Sequence, residues 1–112
     1  MSDTNWDDSK ETRDVLFEVY EERLRQIEKW GVQDHPVGSD PEGQLAGVTF
    51  TEYRDLLTSF NDEYGNPFWG TILLEEVFEA LCEPEGSSDL RKELLQVAAV
   101  AVAVVENLDR KR

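Results

Sequence analysis

The chain has one cysteine, Cys82, and one histidine, His35. A lone cysteine excludes an internal disulfide and fits a reducing compartment. One Cys and one His also cannot supply the soft ligands of a zinc cluster. Basic residues are scarce: 11 Lys and Arg stand against 25 Asp and Glu, for a formal net charge of −14. Such a surface repels nucleic-acid backbones and anionic membranes, so neither is an expected partner. Long apolar runs are missing too. The longest, Val97 to Val105, falls well short of the roughly 20 residues that cross a bilayer. Met1 to Asp8 is acidic and polar, unlike a secretory signal, and a cytoplasmic location is expected. There is no internal repeat, no low-complexity tract and no convincing strand.

What remains is a 112-residue chain that is 39% hydrophobic, enough for one modest core. Residues 1–8 read as a loose acidic tail and 9–112 as a single helical domain. The first helix is expected from near Ser9 or Glu11 to Trp30. Val15, Leu16, Val19, Tyr20, Leu24, Ile27 and Trp30 follow the helical period, and Gly31 is a natural stop. Residues 32–48 carry Pro36, Gly38, Pro41, Gly43 and Gly47 and read as a long loop, either a mobile lid or a plain connection. A short helix over Thr51 to Asn61 follows, with Thr49 and Glu52 at capping-box spacing. A third helix is expected from Phe68 or Trp69 to Glu83, ended by Pro84 and Gly86. A fourth, capped by Ser87 or Ser88, runs from Asp89 to about Asp109. Val97 to Val105 is apolar around its circumference, which predicts burial on most sides, in a bundle or a subunit interface. The fold class is all-α, a four-helix bundle.

Two acidic signatures carry the chemistry. The third helix holds Glu75, Glu76 and Glu79; the fourth holds Glu93 and, three residues on, Gln96. Residues three or four apart share a helix face. A short link over residues 84–87 predicts antiparallel packing, which brings Glu93 and Gln96 near Glu76 and Glu79. Most charged helical residues are simply solvated, and Glu-x-x-Glu is common by chance. Here, however, the acids are flanked by Leu73, Leu74, Val77 and Phe78 on one helix and by Leu94, Leu95 and Val97 on the other. Carboxylates crowded beside a core require neutralisation. Oxygen-only ligands on facing helices suit a hard divalent ion such as Mg²⁺.

A Glu-Glu-x-x-Glu helix followed by a Glu-x-x-Asp helix is the signature of the MazG-like all-α nucleoside triphosphate pyrophosphohydrolases, and most of the chain resembles that family. Arg25-Gln26-Ile27-Glu28-Lys29-Trp30-Gly31-Val32-Gln33-Asp34-His35-Pro36 resembles the first-helix signature of a subgroup common in phages and actinobacteria. The stretches from Trp69 to Val77 and from Glu93 to Ala101 are similar to the same subgroup. The resemblance implies a MazG-like helical bundle completed by oligomerisation, as a homodimer or homotetramer. It implies hydrolysis of a nucleoside triphosphate to the monophosphate and pyrophosphate with Mg²⁺, for which Mn²⁺ can substitute. By position, Glu76, Glu79 and Glu93 would be metal ligands. Glu75 would ligate metal or orient the attacking water, as the catalytic candidate.

One departure stands out. Gln96 occupies the place of the family's aspartate, offering a neutral carbonyl oxygen in place of a carboxylate. It still suits a metal ligand but removes one negative charge. A catalytically inactive nucleotide- or metal-binding relative is therefore the alternative, and an acidic mimic of nucleic acid that binds a basic protein is a weaker one. Gln26, Lys29 and Trp30 are candidate substrate contacts, through hydrogen bonding, phosphate contact and stacking. Arg25 and Gln33 invite similar readings, balanced by surface salt bridges and ordinary polar roles. A structural role is expected for His35, and packing roles for Trp69 and Cys82.

Overall fold

The computed structural model describes residues 6–65 and 67–111, so residues 1–5 of the expected acidic tail lie outside the described residues. Four helices account for most of the described chain: α1 (Trp6–Trp30), α2 (Phe50–Tyr64), α3 (Trp69–Leu81) and α4 (Ser88–Arg110), with strands β1 (Gln44–Leu45) and β2 (Val48–Thr49) between α1 and α2. The all-α class is therefore observed. Among the described residues, no helix is long and apolar enough to cross a membrane.

Several boundaries differ from expectation. Helix α1 begins at Trp6, so residues 6–8 are helical and not tail. The 32–48 segment is not wholly loop. Gln44 pairs with Thr49 and Leu45 with Val48 in an antiparallel hairpin. Its two-residue turn, Ala46 and Gly47, has positive φ at both positions (55° and 80°). That twist matches the strands it joins. Strands this short leave no readable alternation, which is why the sequence pattern missed them.

Helix α2 runs longer than expected, to Tyr64. At its start the Thr49 hydroxyl accepts from the Glu52 N–H and donates to the Glu52 carboxylate, both at 3.0 Å. Gly65, in the left-handed region at φ 58°, closes it. Helix α3 ends at Leu81, two residues before the expected Glu83, with Cys82 as its cap. Ser87 is the cap of α4: its Oγ accepts from the Leu90 N–H at 3.1 Å.

The chain divides into two compact units. One comprises Met1–His35 with Val102–Arg112, the other Pro36–Ala101. In the first, α1 meets the last turns of α4. Thr12 donates to Glu106 and Arg110 to Glu11, and Val15 and Val102 are buried. Most of the periodic apolar face of α1 is nevertheless exposed, including Leu16, Val19, Tyr20, Leu24, Ile27 and Trp30, as is the neighbouring Phe17. The burial expected for the Val97 to Val105 run, in a bundle or a subunit interface, is only partly met within one chain. Val102 is buried, but Ala98, Ala99, Ala101 and Val105 are exposed.

In the second unit, α2 packs along α3, and Phe78 is buried against the rings of Phe50 (6.1 Å) and Tyr53 (4.8 Å, stacked). The loop ahead of the hairpin is fastened to the far end of α3. The Asp40 N–H donates to the Leu81 carbonyl at 2.9 Å, and the Val37 N–H to the Glu85 carboxylate at 3.0 Å. Gly43 is required where it stands, since a Cβ there would lie 2.5 Å from the Phe50 ring. Trp69, expected in the core, is 38% exposed at the start of α3.

Candidate metal centre

Glu76 and Glu79 share a face of α3 because they are three residues apart, and Glu93 meets them from the first half of α4. Each of the three half-buried side chains offers a carboxylate oxygen, and these oxygens all lie within 4.8 Å of one another. Gln96, one turn beyond Glu93, closes the group. One terminal atom of its amide lies 3.0 Å from Glu93 Oε2 and 3.3 Å from Glu76 Oε2. With nitrogen in that place the amide donates to both carboxylates. With oxygen there it faces two acceptors and needs a cation between them.

The electrostatics follow from this crowding. Burial, then the charges of Glu93 and Glu75, raise the Glu76 carboxyl above its ordinary value of 4.5. Burial, then Glu76, Glu75 and Glu93, raise Glu79 in the same way, and the Arg54 guanidinium opposes that rise. Three carboxylates and an amide oxygen are hard, oxygen-only donors. They match Mg²⁺ or Mn²⁺ in ligand type, and such an ion would relieve the repulsion that lifts both acids.

Glu75 is placed differently. Its carboxylate turns toward α2, where Thr58 Oγ1 donates to Oε2 at 2.8 Å and Asn61 Nδ2 donates to Oε1 at 2.7 Å. The Asn61 amide also donates to the Thr71 carbonyl at 3.2 Å, while its own Oδ1 is buried without a partner. Glu75 is thus outside the tight trio and held by two donors beside it. Thr58, Asn61 and Arg54 did not stand out in the sequence. The signal was present in the spacing: Thr51, Arg54, Thr58 and Asn61 fall 3, 4 and 3 residues apart, a polar stripe on one face of α2.

The centre is built wholly within the second unit. The candidate substrate contacts Gln26, Lys29 and Trp30 belong to α1 and make local contacts. Gln26 accepts from Arg23 at 2.6 Å, and the Lys29 ammonium sits 4.9 Å from the centre of the Trp30 ring. Arg25 pairs with Glu22 at 2.8 Å, and the Gln33 amide lies 3.3 Å from the His35 ring. Cys82 is half-buried, 3.8 Å from the Thr51 hydroxyl, where the ends of α2 and α3 meet. The chain matches no protein-family model, no curated protein and no solved structure.

Proposed function

We propose that the protein is a Mg²⁺-dependent nucleoside triphosphate pyrophosphohydrolase, releasing the nucleoside monophosphate and pyrophosphate. One observation carries the reading: Glu76, Glu79 and Glu93 converge within 4.8 Å from two helices, with the Gln96 amide against Glu76 and Glu93. A net charge of −14 repels a polyphosphate, so any such substrate needs a cationic bridge at the point where the acids meet.

Glu76, Glu79, Glu93 and the Gln96 carbonyl oxygen would hold the ion. When bound, Mg²⁺ neutralises phosphate oxygens and polarises water. The chain's own residues do the rest. Glu75 keeps unused lone pairs beyond those engaged by Thr58 and Asn61, and it accepts the proton of the attacking water. Thr58 and Asn61 fix the direction in which that carboxylate points. The water oxygen bonds to one phosphorus of the α–β anhydride, the bond to the bridging oxygen breaks, and its electrons leave with the departing phosphate group.

The exposed apolar face of α1 supports assembly into a homodimer or homotetramer, since a row of Leu, Phe, Tyr and Trp side chains in water invites burial. Light scattering that finds a stable monomer at micromolar concentration refutes that part.

A second reading, a non-catalytic relative, draws on Gln96. With its nitrogen inward, the amide ties Glu93 and Glu76 together without a cation. Pyrophosphate release from a panel of nucleoside triphosphates, with Mg²⁺, Mn²⁺ or EDTA, decides between the two. Metal-dependent release that disappears in Glu79→Ala supports the hydrolase. No release from any nucleotide by folded protein overturns it in favour of the second reading.

A further inference from the structure

A triphosphate carries more negative charge than one divalent ion offsets, and the trio already spends that ion's charge on itself. A cation from the protein is needed beside the metal. The seam between α2 and α3 identifies one.

The seam is antiparallel, and its register can be read from side-chain contacts. Asn61 bonds Thr71 and Glu75, Thr58 bonds Glu75, Tyr53 stacks on Phe78, and Thr51 reaches Cys82. As residue numbers fall along α2 they rise along α3. Arg54 lies between Tyr53 and Thr58 on the polar stripe, which sets it at the level of Phe78 and Glu79. Glu79 is the ligand candidate nearest that edge of the centre, and Arg54 shares its α2 face with Thr51, Thr58 and Asn61, all of which reach α3 or its cap. The guanidinium is not locked in place. Its Nε and one terminal nitrogen both bond Asp55 Oδ1, at 3.2 and 3.1 Å. In that pair the Arg54 side chain is 38% exposed and that of Asp55 67%. Exposed pairs of this kind are weak and exchange readily for a better acceptor. A phosphate group offers one, because its oxygens match the planar fork of donors.

We infer that Arg54 is the polyphosphate-binding arm of the centre, leaving Asp55 to take the non-bridging oxygens of a phosphate group that lies against the metal held by Glu79. The inference rests on the hydrolase reading and adds to it the residue that grips the phosphate end.

The test uses the full chain, with Mn²⁺ alone as one probe and inorganic pyrophosphate plus Mg²⁺ as the other, both by titration calorimetry. Arg54→Ala is expected to weaken pyrophosphate binding about ten- to a hundredfold, the range for a lost charge-assisted bond. Binding of Mn²⁺ alone should stay level or tighten, since a competing cation beside Glu79 has gone. Asp55→Asn, an exposed and nearly isosteric change, should move pyrophosphate the other way, tightening it up to about fivefold as Arg54 is released. Arg54→Lys should recover only part of the loss, because an ammonium lacks the fork. Weaker Mn²⁺ binding in Arg54→Ala would mean that Arg54 merely supports Glu79, and would overturn the inference. So would unchanged pyrophosphate affinity in both Arg54→Ala and Asp55→Asn, with Mn²⁺ binding intact, and the hydrolase reading would then survive. Failure of the wild-type chain to bind Mn²⁺ overturns both.

Discussion

Replacing Glu76 by Gln should stabilise the metal-free protein and abolish its response to metal. Glu76 is the cleanest member of the trio to neutralise, because burial, then Glu93 and Glu75, raise it and no cation opposes them, whereas Arg54 partly offsets the charge at Glu79. With the carboxylate oxygens within 4.8 Å of one another, each like-charge pair in water-like surroundings costs about 0.9 kcal/mol. Within the trio Glu76 faces two such partners, Glu79 and Glu93, and salt screens half-buried groups, so the expected gain is on the order of 1 kcal/mol. A chain of 112 residues has an unfolding entropy of about 0.24 kcal/mol/K, so the midpoint should rise by about 4 °C. The Gln96 amide keeps a hydrogen-bond partner in the variant, so no buried polar group is orphaned. In the wild type, Mg²⁺ at a hundred times its dissociation constant should add about 2.7 kcal/mol, or roughly 11 °C. Thermal melts followed by circular dichroism, with EDTA and with Mg²⁺, measure both effects. A variant that melts below the wild type in EDTA, or a wild type that ignores Mg²⁺ and Mn²⁺, would refute the reasoning. Glu76 would then be an ordinary structural residue.

Three further outcomes follow from the same geometry. Gln96→Asp adds a fourth carboxylate, so it should lower the midpoint in EDTA by a few degrees and tighten Mn²⁺ binding, both read by titration and melting. Thr58→Val leaves the Glu75 carboxylate one donor short at a half-buried position, which should cost about 1–3 kcal/mol in urea unfolding. It should also lower kcat more than it weakens Mn²⁺ binding. The pH dependence has a definite sign. Glu76 and Glu79 are raised in the folded chain, so the folded state holds more protons than the unfolded state between the ordinary carboxyl value and the raised ones. Without metal, the contribution of this pair to stability is fully present below the ordinary value and is lost as pH rises through the raised ones. Urea unfolding in EDTA across that window should show this loss in the wild type, and it should shrink in Glu76→Gln.

Much of the acidic centre is legible in the sequence, because helical spacing is a local property. Glu76 and Glu79 had to share a face once α3 formed, and the short link through Pro84 and Gly86 returns the start of α4 toward α3, where Glu93 meets them. Glu93 and Gln96 came with it. The helices were read for the same reason, with errors only at ends, where a cap such as Thr49 or Ser87 decides between neighbouring residues. The hairpin over 44–49 escaped, since two-residue strands have no period to detect and the positive φ of Ala46 is invisible in its identity. Periodicity marks an apolar face without saying what buries it. It marked the apolar face of α1 and the Val97 to Val105 run correctly, but it carried no knowledge of what would cover them, and in the single chain much of both is exposed.

What the amino-acid order determined by itself was therefore the helical class and the convergence of the acids. What only the tertiary structure decided was how the acids divide. Glu75 and Glu76 are neighbours in sequence, yet one turns to Thr58 and Asn61 and the other to Glu93 and Gln96. Successive residues on a helix point about 100° apart, so adjacent glutamates must face different partners. Which partners stand in those directions depends on where α2 and the first half of α4 lie beside α3, and the α2–α3 register also sets Arg54 at the level of Glu79.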